Sequence, residues 1–130
     1  MFIVEEYVEL LYDTKKLAEQ CNSIKEAKKL FSGDVLLVQS FLSRINALKN
    51  ALVIKDIIMM KSFRFHKLKN IGRKNLEGYF AIDVKSIKEP WRIIIQPLDE
   101  NKNPYNPCNI DQISGIVKIV KIMEVSKHYE

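Results

Sequence analysis

Apolar residues along this chain follow two different periods, and the change from one to the other divides the sequence. Tyr7-Val-Glu-Leu-Leu-Tyr12 is a short apolar-rich run closed by Asp13-Thr14. That is the pattern of a first strand handing over to a helix through an N-cap residue. Leu17 and Cys21 stand four apart and share a helical face. Ser23-Ile24-Lys25-Glu26 spells a capping box, after which Ala27, Leu30 and Phe31 keep helical spacing until Gly33 stops the run. Asp34 then caps a longer helix whose apolar positions Leu37, Phe41, Ile45, Leu48 and Leu52 recur every three or four residues. Stripes of this kind predict core-facing helices, not a cofactor or membrane role.

From Tyr79 onward the period changes. Tyr79-Phe-Ala-Ile-Asp-Val84, Trp91-Arg-Ile-Ile-Ile-Gln96 and the run from Ile116 to Val125 are β-branched, aromatic or alternating, which predicts three strands. The last run cannot alternate throughout, because Lys118 and Lys121 stand among apolar neighbours, so a bulge or a strand end is expected there. Residues 85–90 are few enough for a hairpin loop, whereas residues 98–114, rich in Asn, Pro and Asp, read as a longer surface excursion. There is no internal repeat and no low-complexity tract. A strand, then helices, then a meander of strands predicts an α+β fold with helices layered on an antiparallel sheet. At 130 residues and 47% apolar letters, one domain spanning 1–130 accounts for the whole chain.

Charge adds what the pattern lacks. The chain has 21 basic and 16 acidic residues, and six of the basic ones (Lys61, Arg64, Lys67, Lys69, Arg73, Lys74) lie within residues 57–76, where there is no acid. That leaves 15 basic against 16 acidic residues elsewhere, so one segment carries the net charge of +5. A local basic patch points to a polyanion. Cys21 and Cys108 are too far apart, and too poorly supplied with His, for a disulfide framework or a zinc site. The opening Met1-Phe2-Ile3-Val4-Glu5-Glu6 has no basic leader, and no apolar run approaches the ~18 residues of a membrane span. A soluble protein of the reducing cytoplasm is the expectation.

In Phe63-Arg64-Phe65-His66-Lys67-Leu68-Lys69-Asn70, an extended backbone would set Arg64, His66 and Leu68 on one face and Phe65, Lys67 and Lys69 on the other. One face would then meet phosphate while the other anchors the segment; a solvated basic loop is the plainer alternative. The chain's two histidines are His66 and His128. If the last strand pairs beside the edge where His66 enters, both imidazoles face one cleft, with Lys67, Lys69, Arg92, Lys127 and Tyr129 around them. Two imidazoles and cations are the parts for cutting RNA without a metal: a base for the 2′-hydroxyl, a cation for the pentacoordinate phosphate and an acid for the leaving 5′-oxygen. A mobile surface His128 is the alternative. Trp91 reads as a core anchor, and Arg92 on the opposite face must reach solvent, an acid or a phosphate. Tyr79 either stacks a base or packs. No Gly-rich phosphate loop, G-x-S-x-G, H-E-x-x-H or paired-carboxylate signature is present.

Taken together these segments resemble the HigB-type, or plasmid-maintenance killer, branch of the RelE/ParE toxin superfamily. The likeness lies in Leu11-Tyr12-Asp13-Thr14-Lys15-Lys16-Leu17, Phe65-His66-Lys67-Leu68-Lys69, Gly78-Tyr79-Phe80-Ala81-Ile82-Asp83-Val84, Trp91-Arg92-Ile93-Ile94-Ile95-Gln96-Pro97 and a terminal Ile-x-Glu-Val-x-x-His-Tyr at residues 122–129. It spans nearly the whole chain from Tyr7. The resemblance implies a RelE-like α+β fold, with N-terminal helices packed on a twisted antiparallel β-sheet. It also implies a toxin that cuts mRNA on the ribosome, neutralised in a hetero-oligomer by a cognate helix-turn-helix, HigA-like antitoxin. No metal or organic cofactor is implied.

Carried over, the resemblance gives His66, Lys69, Arg92 and His128 the catalytic positions, and sets Lys67, Arg73, Lys74 and Lys127 on phosphate. Arg64, Tyr79 and Tyr129 complete the expected RNA surface. Two departures stand out: an acid, Asp83, occupies a position where several members are basic, and Ser126-Lys127 replaces an acidic-aromatic pair before the terminal His. Two other functions fit the same segments. One is a ParE-like toxin that poisons gyrase through protein contact, and the other is a non-catalytic RNA- or antitoxin-binding module.

Overall fold

The computed structural model describes residues 6–130; the opening residues 1–5, on which the reading of the leader rests, lie outside that range. Its elements are β1 (Glu9–Tyr12), α1 (Lys15–Asn22), α2 (Ile24–Leu30), α3 (Val35–Asn50), α4 (Ile54–Ile58), β2 (His66–Lys67), β3 (Phe80–Asp83), β4 (Arg92–Leu98), α5 (Ile110–Ile113) and β5 (Ile119–Ser126). The five strands form one sheet in the order β1-β5-β4-β3-β2. All neighbours are antiparallel except β1 and β5, which run parallel. The class is therefore α+β, as the patterning predicts, with one parallel pair where the chain's two ends meet.

The helix starts follow the capping chemistry read from the sequence. Thr14 Oγ1 accepts from the Leu17 amide at 3.1 Å, Ser23 Oγ from Glu26 at 3.2 Å and Asp34 Oδ1 from Leu37 at 3.1 Å. Each removes one orphan donor of a first turn. Gly33, at φ +78°, takes the left-handed conformation that ends the second run. Helix α3 buries Leu37, Val38, Phe41, Ile45 and Leu48 against the sheet. Leu52 does not extend this stripe. The helix stops at Asn50 and Leu52 is left 42% exposed, because its amide and that of Val53 donate instead to the Asp56 carboxylate, which opens the separate short helix α4.

The helical layer covers one face of the sheet through Phe80, Ile82, Ile93, Ile95, Val120 and Ile122. Trp91 packs edge-on against Phe31 at 4.9 Å, as a core anchor. The second face carries a smaller apolar cluster of Leu68, Leu76, Ala81 and Ile94, with Tyr79, Met123 and Tyr129 packed on it. Leu68 and Leu76 belong to a basic arm, residues 68–79, that folds across this face, and Tyr129 belongs to the tail after β5. All seven residues of β4 are consequently buried. The expected irregularity in the last strand is present: Ile94 pairs with Glu124 and Ile95 with Ile122, so Met123 is the extra residue of a bulge.

Candidate nucleic-acid interface

Strand β2 is two residues long, yet it sets the orientation of the basic segment. His66 pairs with Ala81 and Lys67 with Phe80. Directly opposed residues of a ladder share a face, so His66 lies on the second face with Ala81, while Lys67 lies on the helical face with Phe80. Phe65 stacks on Phe80 at 4.9 Å and anchors the segment from that side. The predicted alternation is realised in part: His66 and Lys67 take opposite faces as expected, but the strand is only these two residues long, and Arg64 before it takes a left-handed turn at φ +49° instead of an extended one.

His66 Nδ1 lies 2.7 Å from the Arg64 carbonyl oxygen. A carbonyl can only accept, so Nδ1 carries the proton and the neutral ring keeps its lone pair at Nε2. Nε2 is buried and has no hydrogen-bond partner among the described residues. Beside it runs the arm, in which Lys69 and Arg73 are exposed and make no side-chain hydrogen bond or ion pair among the described residues. Lys74 donates to the Tyr129 hydroxyl and lies 4.9 Å from that ring's centroid. The hydroxyl contact, more than any charge, holds the Lys74 ammonium above the ordinary lysine range. Tyr129 in turn donates to Glu124 Oε1 at 3.0 Å.

The surroundings of Asp83 account for an acid at this position. Its side chain is 2% exposed and accepts from Arg64 Nε at 2.9 Å and Nη2 at 2.9 Å, while Arg92 Nε stands 3.2 Å away on its other side. Arg92 donates further to the carbonyls of Ser86 (3.3 Å), Ile87 (3.0 Å) and Trp91 (3.0 Å), to that of Glu89, and to the Glu130 main-chain oxygen at 3.0 Å. Arg64 Nη2 also donates to the Glu130 oxygen. A third guanidinium, Arg44 of α3, grips the Asp83 carbonyl oxygen at 3.1 Å from the helical side and lies 4.0 Å over the Phe63 ring. Burial depresses the Arg44 pKa, and the Asp83 charge opposes that shift. Arg44 went unnoticed in the sequence. Its only signal is that Ser40, one turn earlier, donates to the neighbouring Val84 carbonyl at 2.6 Å, so the two polar groups share the side of α3 that meets the end of β3.

The remaining sequence-derived residues divide as follows. Arg92 reaches an acid, and each of its guanidinium nitrogens is engaged by that acid or by main-chain oxygens. The expectation that β5 pairs beside the edge bearing His66 is corrected: β2 is the edge strand, and β3 and β4 lie between it and β5. His128 is exposed and makes no side-chain contact with His66. Tyr129 and Glu130 are what the tail brings to that end, where they line a cleft of about 180 Å³ with Leu68, Lys69 and Ile71. Lys127 points the other way, 5.3 Å from the Trp91 ring on the helical side. Tyr79 is half-buried and lines a neighbouring cavity with Lys74 and Tyr129.

The chain matches no family model, no curated protein and no solved structure. No group of His, Cys, Asp and Glu among the described residues is placed to hold a metal ion. No helix among them is long and apolar enough to cross a membrane.

Proposed function

We propose that the chain is the toxin of a type II toxin-antitoxin pair, a ribosome-dependent endoribonuclease that cleaves translated mRNA in the cytoplasm and stops growth. The observation that carries this reading is His66, whose tautomer is fixed by the Arg64 carbonyl so that a free lone pair stands at Nε2 beneath a basic arm. That is the form a general base needs. In the reaction Nε2 takes the 2′-hydroxyl proton as the 2′-oxygen attacks phosphorus, a 2′,3′-cyclic phosphate forms, and the bond to the 5′-oxygen breaks as that oxygen gains a proton from an acid. Because Nε2 is buried, RNA reaches it only when the groups covering it shift, a gating step of the kind that substrate binding drives. Lys69, an exposed cation of the arm with no side-chain partner among the described residues, supplies charge for the phosphate. His128, exposed at the tail, is the candidate acid once RNA is bound. The partners in this reading are the ribosome, mRNA and a helix-turn-helix antitoxin.

One observation favours a second reading, a non-catalytic RNA- or antitoxin-binding module. Arg92 is buried, and each of its three guanidinium nitrogens already donates to a protein oxygen, which sets it apart from a developing phosphorane charge. Induced expression followed by mapping of mRNA 5′ ends separates the two. The endonuclease reading expects new ends inside translated codons and a loss of roughly a hundredfold or more in His66→Ala. Growth arrest with intact mRNA, or cutting by His66→Ala at the wild-type rate, overturns it.

A further inference from the structure

A cavity of about 200 Å³ opens on the second face between the basic arm, β4, β5 and the tail. Its apolar walls are Leu76, Tyr79, Ile94 and Tyr129, and Glu124 and Lys74 stand at its polar end. An apolar cavity of roughly 150 Å³ takes up benzene, so this one has room for a single planar heterocycle. Its polar end is unusual for a basic face. Glu124 is half-buried, and Tyr129 binds only its Oε1, leaving Oε2 without a hydrogen-bond partner among the described residues. The other acid at the cavity, Asp13, is already paired with Lys121 at 3.4 Å.

We propose that this cavity receives one unstacked base of a bound RNA and that Glu124 selects guanine there. Tyr79 offers an aromatic wall for stacking, which accepts any base and is a main source of single-strand affinity. Selection comes from the carboxylate, which only accepts hydrogen bonds. Guanine presents two adjacent donors on its Watson–Crick edge, N1–H and the N2 amino group, and so meets both oxygens. Adenine and cytosine each set an acceptor nitrogen beside their amino group, and uracil flanks its single N–H with carbonyls; each of these turns a lone pair toward the carboxylate. A bidentate match of this kind discriminates by about tenfold to a hundredfold. The inference rests on the endonuclease reading only for the identity of the polymer.

Titration of the full-length protein with 5′-GMP, 5′-AMP, 5′-CMP and 5′-UMP, followed by NMR, tests it without requiring cleavage. GMP should bind at least tenfold more tightly than the others, with shifts at Tyr79, Met123 and Tyr129. Glu124→Gln keeps an oxygen for the Tyr129 hydroxyl but turns the second acceptor into a donor, so it should erase the GMP preference while the Tyr129 signal stays in place. As a second variant, Tyr79→Leu should weaken all four nucleotides together. Equal affinities in the wild type, shifts elsewhere, or a GMP preference that survives Glu124→Gln overturn the inference. Guanine selection in a protein that cuts no mRNA would instead overturn the endonuclease and keep this site. Cleavage with no Glu124-dependent base preference would do the reverse.

Discussion

Removing the Asp83 carboxylate is the perturbation to which the second face should be most sensitive. In Asp83→Ala the Arg92 side chain, 5% exposed, keeps its charge but loses its one ionic partner, while Arg64, 30% exposed, can turn toward water. Leaving a buried charge unpaired costs about 3–5 kcal/mol. Arg92 still has the carbonyls of Ser86, Ile87, Glu89 and Trp91 and the Glu130 oxygen, so the loss belongs at the lower end, about 3 kcal/mol. For a chain of this length that is a fall in Tm of roughly 10–15 °C. Arg64→Ala should cost less, about 1–2 kcal/mol, since Asp83 keeps Arg92 and the lost hydrogen bonds are partly solvated. The double variant should show a coupling of at least ~1 kcal/mol. Urea and thermal unfolding followed by circular dichroism measure all three. Hydrogen exchange at residues 127–130 should rise in Asp83→Ala, because both guanidiniums that hold the Glu130 oxygen lose their anchor. An Asp83→Ala protein within about 1 kcal/mol of wild type, or an Arg64→Ala cost exceeding it, would refute the ion cluster as the clasp of the tail.

Four further outcomes follow from individual sites. Burial pushes the Cys21 thiol up to about 12, whereas Cys108 is raised less and is half-buried, so alkylation at pH 8 followed by mass spectrometry should label Cys108 first. The folded state binds the Cys21 proton more tightly than the unfolded one, so the stability this confers is complete below the ordinary thiol range and fades as pH rises toward about 12; an unfolding series that strengthens over that span in wild type relative to Cys21→Ala would contradict it. Ser23→Ala and Asp34→Ala each remove an N-cap acceptor and should cost about 1 kcal/mol in urea unfolding. If Lys69 and Arg73 each neutralise one phosphate of single-stranded RNA, replacing either by Ala should flatten the slope of log K against log salt by about 0.7, a change that fluorescence anisotropy resolves.

Much of the fold was legible because it rests on local chemistry. Thr14, Ser23 and Asp34 cap where their spacing to an apolar run says they should, and Gly33, after Ser32, closes the turn beyond α2 at a positive φ that glycine adopts at little cost. An irregularity in the last run was foreseeable from the lysines that interrupt it, but its position at Met123 was not. What was hidden depends on partners distant in sequence. Leu52 continues an apolar stripe in spelling, but Asp56 captures its amide and turns the chain. Strand β2 is too short to leave a periodic signal and exists because β3 offers it an edge. The His66 tautomer depends on a carbonyl only two residues away, yet it appears only after Arg64 takes its left-handed turn at φ +49°. Nothing in the spacing of Arg44, Arg64 and Arg92 shows that all three converge on Asp83.

That convergence redistributes the charge that marks the sequence. Of the six cations in residues 57–76, Arg64 is matched by Asp83 and Lys67 faces the helical side with Phe80. Lys61 sits in the turn before β2, and the cations that the arm itself brings to the second face are Lys69, Arg73 and Lys74. Arg92, the most arresting cation in the strand pattern, instead binds the tail and the loop after β3 to an internal acid. An arginine in that role needs an anion of its own, and this accounts for the acid at Asp83 without any reference to catalysis. The arm's three cations, together with His66 and Tyr129, are then the groups on which an RNA chemistry has to be built, and Asp83 acts on them only through the position of the tail.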